Sequence, residues 1–327
     1  MYFQRDVIEN KMNRAGKEKQ PFLFGMDFEM NEGFFVINPL SQNEILFDFN
    51  GVGNSNLVDS TPTNQFSDYQ FEMFPENLKI YKERFKTIMN GLKRGESYLA
   101  NLTIETPLET SLNLKEIFIL SKSRYRLLIP DKFVCFSPEC FIKIIDCRIY
   151  TFPMKGTINA NIQDAEKTVM NDKKEEAEHN TIVDLLRNDL SRVAQDVHVS
   201  RFRYIDELKT NKGEILQVSS EIVGTLPNEY MSEIGTIIFS LLPAGSVSGA
   251  PKEATLKLIG KAENSPRGYY TGVAGYFDGA NLDSFVLIRF IEQNEKGLVF
   301  RSGGGITASS HMKKEYLESL QKVYLPF

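Results

Sequence analysis

Tryptophan is missing from this chain, and cysteine and histidine are nearly so, at three each in 327 residues. The aromatic core therefore rests on 24 phenylalanines and 13 tyrosines. Cys135, Cys140 and Cys147 cannot all pair, and their spacing fits no zinc template, so a reduced, cytoplasmic setting is the expectation. An excess of positive charge is also missing. The formal net charge is −5, which leaves no basic footprint for nucleic acid or an anionic membrane surface. No apolar run is long enough to span a bilayer. The opening Met1-Tyr2-Phe3-Gln4-Arg5-Asp6 lacks the charged-then-apolar order of a signal peptide. With 42% hydrophobic and 25% charged residues, what is left is an ordinary globular composition with ample core.

The patterning predicts strands in runs with helices between them. Residues 1 to about 20 read as a mobile arm or a first helix. Phe22 to Phe49 alternates like strands, and Ser55 to Asp68 is a loop by composition. Tyr81 to Arg94 has helical spacing and stops at Gly95, and Tyr98 to Thr106 follows as a strand. Phe141 to Phe152 alternates like a strand. Ile162 to Val193 reads as the longest helical region, with Asp164 near its start to suit the dipole. Val197 to Thr225 returns to strand patterning. Ser248 to Lys252 looks like a capped helix entry, with the helix running to about Ala262. Tyr269 to Phe277, Ser284 to Glu292 and Leu298 to Ser302 read as three antiparallel strands, and Met312 to Val323 as a closing helix. This is not a regular βα alternation, so the expected class is α+β, with residues 1–327 as one compact unit.

Several segments carry polar groups in patterns that suit an anionic substrate. Pro153-Met154-Lys155-Gly156-Thr157 puts a lysine on what reads as a tight turn; burial there would lower its pKa and free a nucleophilic amine. Glu175 and Glu178 share a helix face, as do Glu315 and Glu318. Two such pairs could hold magnesium through oxygen ligands, or could be two solvated faces. Lys322, seven on from Glu315, adds a base to that stripe. Gly303-Gly304-Gly305 follows a strand and permits either a plain turn or a nest of backbone N–H groups for an anion. Pro243 to Lys252 is a second small-residue loop leading into a helix N-terminus, without the Walker pattern. Arg289 ends an apolar run, and a substrate carboxylate or a structural acid would serve it equally. Asp184, Arg187 and Asp189 among leucines read as a packed ion-pair network.

Taken in order, these segments resemble the chorismate-utilising enzymes: anthranilate synthase component I, aminodeoxychorismate synthase component I, and the isochorismate and salicylate synthases. The resemblance is carried by Gly95 to Thr103, Ser137-Pro138-Glu139, Pro153 to Thr157, Glu178-His179, Ile182 to Val193, Pro243 to Lys252, Arg267 to Gly272, Gly303 to Thr307 and Glu315 to Glu318. It covers the chain from about residue 95 to the end, with residues 1–94 shorter than in many relatives and weakly matching.

The resemblance implies two large antiparallel sheets packed face to face, helices outside, and an active site in the cleft between them. Glu178 and Glu318 would ligate Mg2+, supported by Glu175 and Glu315, and the metal would hold the ring carboxylate of chorismate. Arg289, Tyr270, Lys322 and the N–H groups of Gly303 to Gly305 would hold the enolpyruvyl carboxylate. Glu139 would protonate the departing ring hydroxyl, with Ser246, Thr157, Gln217 and Asn101 lining the pocket. Lys155 resembles the lysine of the aminodeoxychorismate branch, where anthranilate synthases look like P-I-A-G-T. Leu99 stands where water-adding members carry a general-base lysine, and Gln217 where the family usually has histidine. The implied activity is amination of chorismate to 4-amino-4-deoxychorismate, a folate precursor, with ammonia from a partner glutamine amidotransferase subunit. The alternatives are an anthranilate synthase component I and a non-catalytic scaffold that keeps the fold.

Overall fold

The structure is a computed structural model that describes residues 1–55, 69–210 and 213–327. Its strands form two sheets in which every pairing is antiparallel. The first has ten strands. Its middle runs from Phe22–Met26 through Val273–Phe277, Leu282–Val286, Cys140–Ile145, Arg148–Thr151 and Gly213–Thr225 to the edge strand Met154–Asn159. The second has nine strands, with Leu99–Thr110, Gly297–Thr307, Phe290–Asn294, Phe133–Ser137 and Tyr125–Ile129 at its centre.

Apolar side chains of both sheets meet in one core. Leu23, Phe34, Ala274 and Phe285 from the first pack on Phe47, Phe49, Tyr125 and Phe133 from the second. The rings of Tyr125 and Phe285 stack with centroids 4.9 Å apart. Helices cover the outer faces because each buries an apolar stripe there. Arg5–Lys17, Lys173–Leu190 and Ile234–Leu241 contribute to the cluster over the first sheet, and Leu78–Lys93 and Lys252–Glu263 pack over the second. This is the expected α+β architecture. Among the described residues no helix is long and apolar enough to cross a membrane.

Local structure departs from the expectations at informative places. The N-terminal segment is a strand, Tyr2–Gln4, and a helix whose Ile8 and Met12 are fully buried, so the arm reading gives way to the helix. The expected loop Ser55 to Asp68 lies, from residue 56 onward, outside the described residues. The long helical region is two helices, Ala165–Met170 and Lys173–Leu190, because Asp172 caps a new start by accepting from the N–H groups of Lys174 and Glu175. Asp164 is in the left-handed region and makes no side-chain cap. Phe141 to Phe152 is a hairpin, Cys140–Ile145 and Arg148–Thr151.

The segment read as one strand over Ser284 to Glu292 is two strands in different sheets, with Arg289 between them at φ +54°. The strand expected from Tyr269 begins at Val273. Ser248 does not cap the following helix; Pro251 holds that position and the Ser248 hydroxyl donates to the Ala244 carbonyl.

Candidate active site

The lysine expected on a tight turn lies on the edge strand Met154–Asn159. Met154 pairs with Ser219 and Thr157 with Gln217, three steps against two, so one extra residue bulges out. Gly156 occupies φ +88°, a conformation side chains disfavour. The bulge explains why the segment reads as a turn, and it turns Lys155 out of the regular alternation. Its Nζ lies 2.7 Å from Glu178 Oε2. The other Glu178 oxygen lies 3.5 Å from Lys174 Nζ.

Burial works to lower the Lys155 amine, as the sequence suggests, but Glu178, Glu175 and Glu318 outweigh it and hold the amine above the ordinary lysine value. The free amine expected from desolvation alone is thus corrected to an ion-paired ammonium. The carboxylates of the same cavity are what the sequence argument left out.

Those carboxylates come from two helices. Glu175 and Glu178 project from the capped start of Lys173–Leu190, and Glu315 and Glu318 from Met312–Gln321. Burial raises Glu175. Burial also raises Glu318, but Lys322, Lys155 and Lys174 together bring it below the usual range. Lys322 Nζ lies 2.8 Å from Glu318 Oε1 and donates to the Gly303 carbonyl at 2.9 Å. Burial lowers the Lys322 amine, and the neighbouring Arg289 and Lys155 charges add to that against the pull of Glu318.

Gly303, Gly304 and Gly305 lie within the strand Gly297–Thr307, opposite Thr103, Leu102 and Asn101, so the turn or nest expected there is corrected to extended backbone. Glycine is needed because the strands approach closely: a Cβ on Gly303 would sit 2.6 Å from the Leu102 carbonyl oxygen.

Across the cavity stands Glu139, whose carboxylate accepts a short hydrogen bond from Ser246. Burial raises its pKa, and the Ser246 hydroxyl with Arg289, Lys155 and Lys322 offset part of that rise. Ser246 sits on the small-residue loop, pinned from behind by Lys252, whose Nζ reaches Asp189 Oδ2 at 3.0 Å and the Leu241 carbonyl at 2.9 Å. The packed network read over Ile182 to Leu190 is thus corrected: Asp189 alone is buried, and it pairs with Lys252, while Asp184 and Arg187 form an exposed pair with each other. Asn101 presents a buried Oδ1 with no hydrogen-bond partner among the described residues, while its backbone carbonyl accepts from Arg267 Nη2 at 2.8 Å.

A cavity of about 640 Å³ brings all of this together. Lys155, Glu139, Glu175, Glu178, Glu315, Glu318, Lys322, Arg289, Tyr270, Gly303, Gly304, Gly305, Thr157, Ser246, Gln217 and Asn101 all line it. Two residues outside the sequence reading matter as well. Lys174 lines the cavity and faces Glu178; its signal is the lysine four residues before that acid. Arg267, almost wholly buried, binds Glu263 through two nitrogens and donates to the carbonyls of Val247 and Asn101, tying the Ser246 loop to the second sheet. It lies in a motif quoted above, but nothing in one sequence shows which elements an arginine will join.

Residues 39–326 match the family model described as chorismate binding enzyme. An uncharacterized PabA-like protein of Pasteurella multocida is 48% identical over 317 residues, covering 96% of each chain. Aminodeoxychorismate synthase component 1 of Bacillus subtilis is 29% identical over 259 residues, covering 75% of this chain and 54% of that one. The crystal structure of anthranilate synthase component I from Streptococcus pneumoniae shares the fold, with a TM-score of 0.67 and 24% identity over 80% of this chain and 61% of that one. Fold, ordered motifs and family match agree: the chain belongs to the chorismate binding enzyme family.

Proposed function

We propose that this protein is an aminodeoxychorismate synthase component I, which converts chorismate and ammonia to 4-amino-4-deoxychorismate. The observation that carries the reading is Lys155, an amine inside the cavity and facing its carboxylates. The Lys155 ammonium first gives a proton to solvent; its neutral Nζ then forms a bond to the ring, the ring double bonds shift, and the ring hydroxyl leaves. Glu139, kept toward its protonated form by burial, supplies the proton, so the hydroxyl departs as water. Ammonia then bonds to the carbon that bore the hydroxyl, the Nζ–carbon bond breaks, and the lysine is regenerated. Arg289, Lys322 and Tyr270 hold the enolpyruvyl carboxylate, beside the strand Gly303 to Gly305, and Thr157, Gln217 and Asn101 line the ring. Leu99 offers no base to activate water, which favours amination over hydration.

Glu178 and Glu318, with Glu175 and Glu315 behind them, are the groups that would hold Mg2+. Among the described residues no three acidic, histidine or cysteine side chains form a ready-made cage. The donor set instead fits magnesium of the kind held by one or two carboxylates, with water and substrate oxygens completing its octahedron. Magnesium bound there would hold a substrate carboxylate and take up the carboxylate charge that keeps Lys155 protonated. The ammonia would come from a glutamine amidotransferase partner.

The test is the product formed from chorismate, magnesium and ammonium at alkaline pH, trapped by a lyase and read by mass spectrometry. Aminobenzoate with its nitrogen para to the carboxylate supports the reading. Anthranilate would move the protein to the anthranilate synthases.

A further inference from the structure

Ser220 is fully buried on the strand Gly213–Thr225, and two elements of the site and the neighbouring strand Gln195–Thr210 converge on it. His179 Nε2 lies 2.7 Å from its Oγ. The backbone N–H of Arg203 donates to the same oxygen at 2.9 Å. The N–H of Ser220 donates to the Pro153 carbonyl at 2.9 Å. His179 is the neighbour of Glu178, and Pro153 stands two residues before Lys155. Arg203 carries the contact outward: its Nη2 donates to the Met170 carbonyl at 2.7 Å and its Nη1 lies 3.0 Å from Glu176 Oε1. Met170 ends the short helix whose Thr168 and Val169 line the cavity.

These bonds matter because the regular ladder fails in this region. The strand Gln195–Thr210 shifts register against Gly213–Thr225 between Val199 and Arg201 and again between Arg201 and Tyr204. The Lys155 strand shifts between Met154 and Thr157. Bulges on both sides leave the local geometry to side-chain bonds. Ser220 falls within the shift between Arg201 and Tyr204 and next to Ser219, where the shift of the Lys155 strand begins, and it supplies both kinds of bond, hydroxyl and backbone.

We propose that Ser220 is a positioning residue: it holds the Lys155 strand against the Glu178 helix, and so sets where the amine stands relative to the carboxylates across the cavity. Its effect on turnover rests on the chorismate reading above; its effect on the place of the amine does not. Ser220 touches no substrate and acts through Lys155 and Glu178.

The experiment compares wild type, Ser220→Ala and Ser220→Thr in two readouts. The first is magnesium- and ammonium-dependent chorismate consumption, whatever the product. Displacing a reacting group by a fraction of its working distance costs rate more than binding, so Ser220→Ala should lower kcat on the order of tenfold while KM changes by less than about twofold. Ser220→Thr, which keeps the hydroxyl, should restore most of the rate. The second is the rate at which an amine reagent, trinitrobenzenesulfonate, labels Lys155 in the intact protein, read by peptide mass spectrometry. Labelling should rise several-fold in Ser220→Ala and return in Ser220→Thr. If Ser220→Ala does not fold, His179→Gln against His179→Leu reads the same bond from its other end. A wild type that leaves chorismate untouched would defeat the chorismate reading, and the labelling would still decide the positioning role. Unchanged kcat and labelling would overturn the inference. So would equal loss in Ala and Thr accompanied by a collapse in melting temperature, which marks a merely structural serine.

Discussion

In the proposed reaction Glu139 gives up a proton in a cavity lined by four cations, Lys155, Lys174, Lys322 and Arg289, and its surroundings divide over it. Burial favours the neutral acid; the Ser246 hydroxyl with Arg289, Lys155 and Lys322 favours the carboxylate. Removing Ser246 takes away a donor that stabilises the charged form, so the Glu139 pKa should rise further. The acid works while protonated, so activity is lost as pH climbs through that pKa. In Ser246→Ala the alkaline limb of kcat/KM should therefore move to higher pH, even as the maximum falls. A limb that moves down would remove Glu139 from the role of acid. Glu139→Gln should lower kcat by ~10²–10⁴, the usual contribution of a positioned general acid, measured under the same ammonium conditions.

At this scale the sequence was highly legible, since every residue singled out for the site lines the same cavity. What it could not show was the mutual influence of those side chains. Lys155 taken alone is a buried amine that should be neutral; beside Glu178, Glu175 and Glu318 it is an ammonium.

Between residue and molecule, the site depends on a few joints between elements. Asp172 starts the helix that presents Glu175 and Glu178, and Asp172→Ala should cost about 1 kcal/mol of stability and weaken the first turn. Thermal or urea unfolding would measure the loss, with a raised magnesium requirement expected beside it. The Arg267–Glu263 pair joins the Ser246 loop, the helix Lys252–Glu263 and the strand Leu99–Thr110, with both side chains almost wholly buried. Arg267→Met strands a buried carboxylate and should cost roughly 3–5 kcal/mol, whereas Arg267→Met with Glu263→Leu should recover much of it. A double variant no better than the single would mean that the arginine's carbonyl contacts dominate.

Element boundaries were the least legible layer, for identifiable reasons. A side-chain cap at Asp172 divides what periodicity reads as one helix. A left-handed Arg289 divides what apolar patterning reads as one strand, sending its two halves to different sheets. A bulge at Gly156 and a close strand approach at Gly303 make extended backbone look like turns, because glycine serves both. Alternation of apolar residues, the stronger signal, placed most of the remaining strands but passed over Tyr125–Ile129 and Phe133–Ser137, and the two-sheet architecture came from the family resemblance.

The whole molecule brings the second sheet and two outer helices to bear on one edge of the first, and the cavity draws its lining from Asn101 through to Lys322. Among the described residues, two of the three cysteines are withdrawn from attack on glutamine. The Cys135 and Cys140 thiols are buried and pushed up by burial, Cys140 to about 12, where the reactive thiolate is scarce at neutral pH. The chain alone should accordingly use ammonium and ignore glutamine. Amination from glutamine without an added glutaminase, followed as glutamate release, would refute the division of labour.

The account's central claim is that the amine of residue 155 does the chemistry, and it is tested most directly by chorismate turnover in Lys155→Ala beside the wild type, with magnesium and ammonium present and circular dichroism confirming that both are folded. The account predicts a fall on the order of a hundredfold or more, the scale of losing a nucleophile while binding groups stay in place. Equal rates in the two proteins would contradict it.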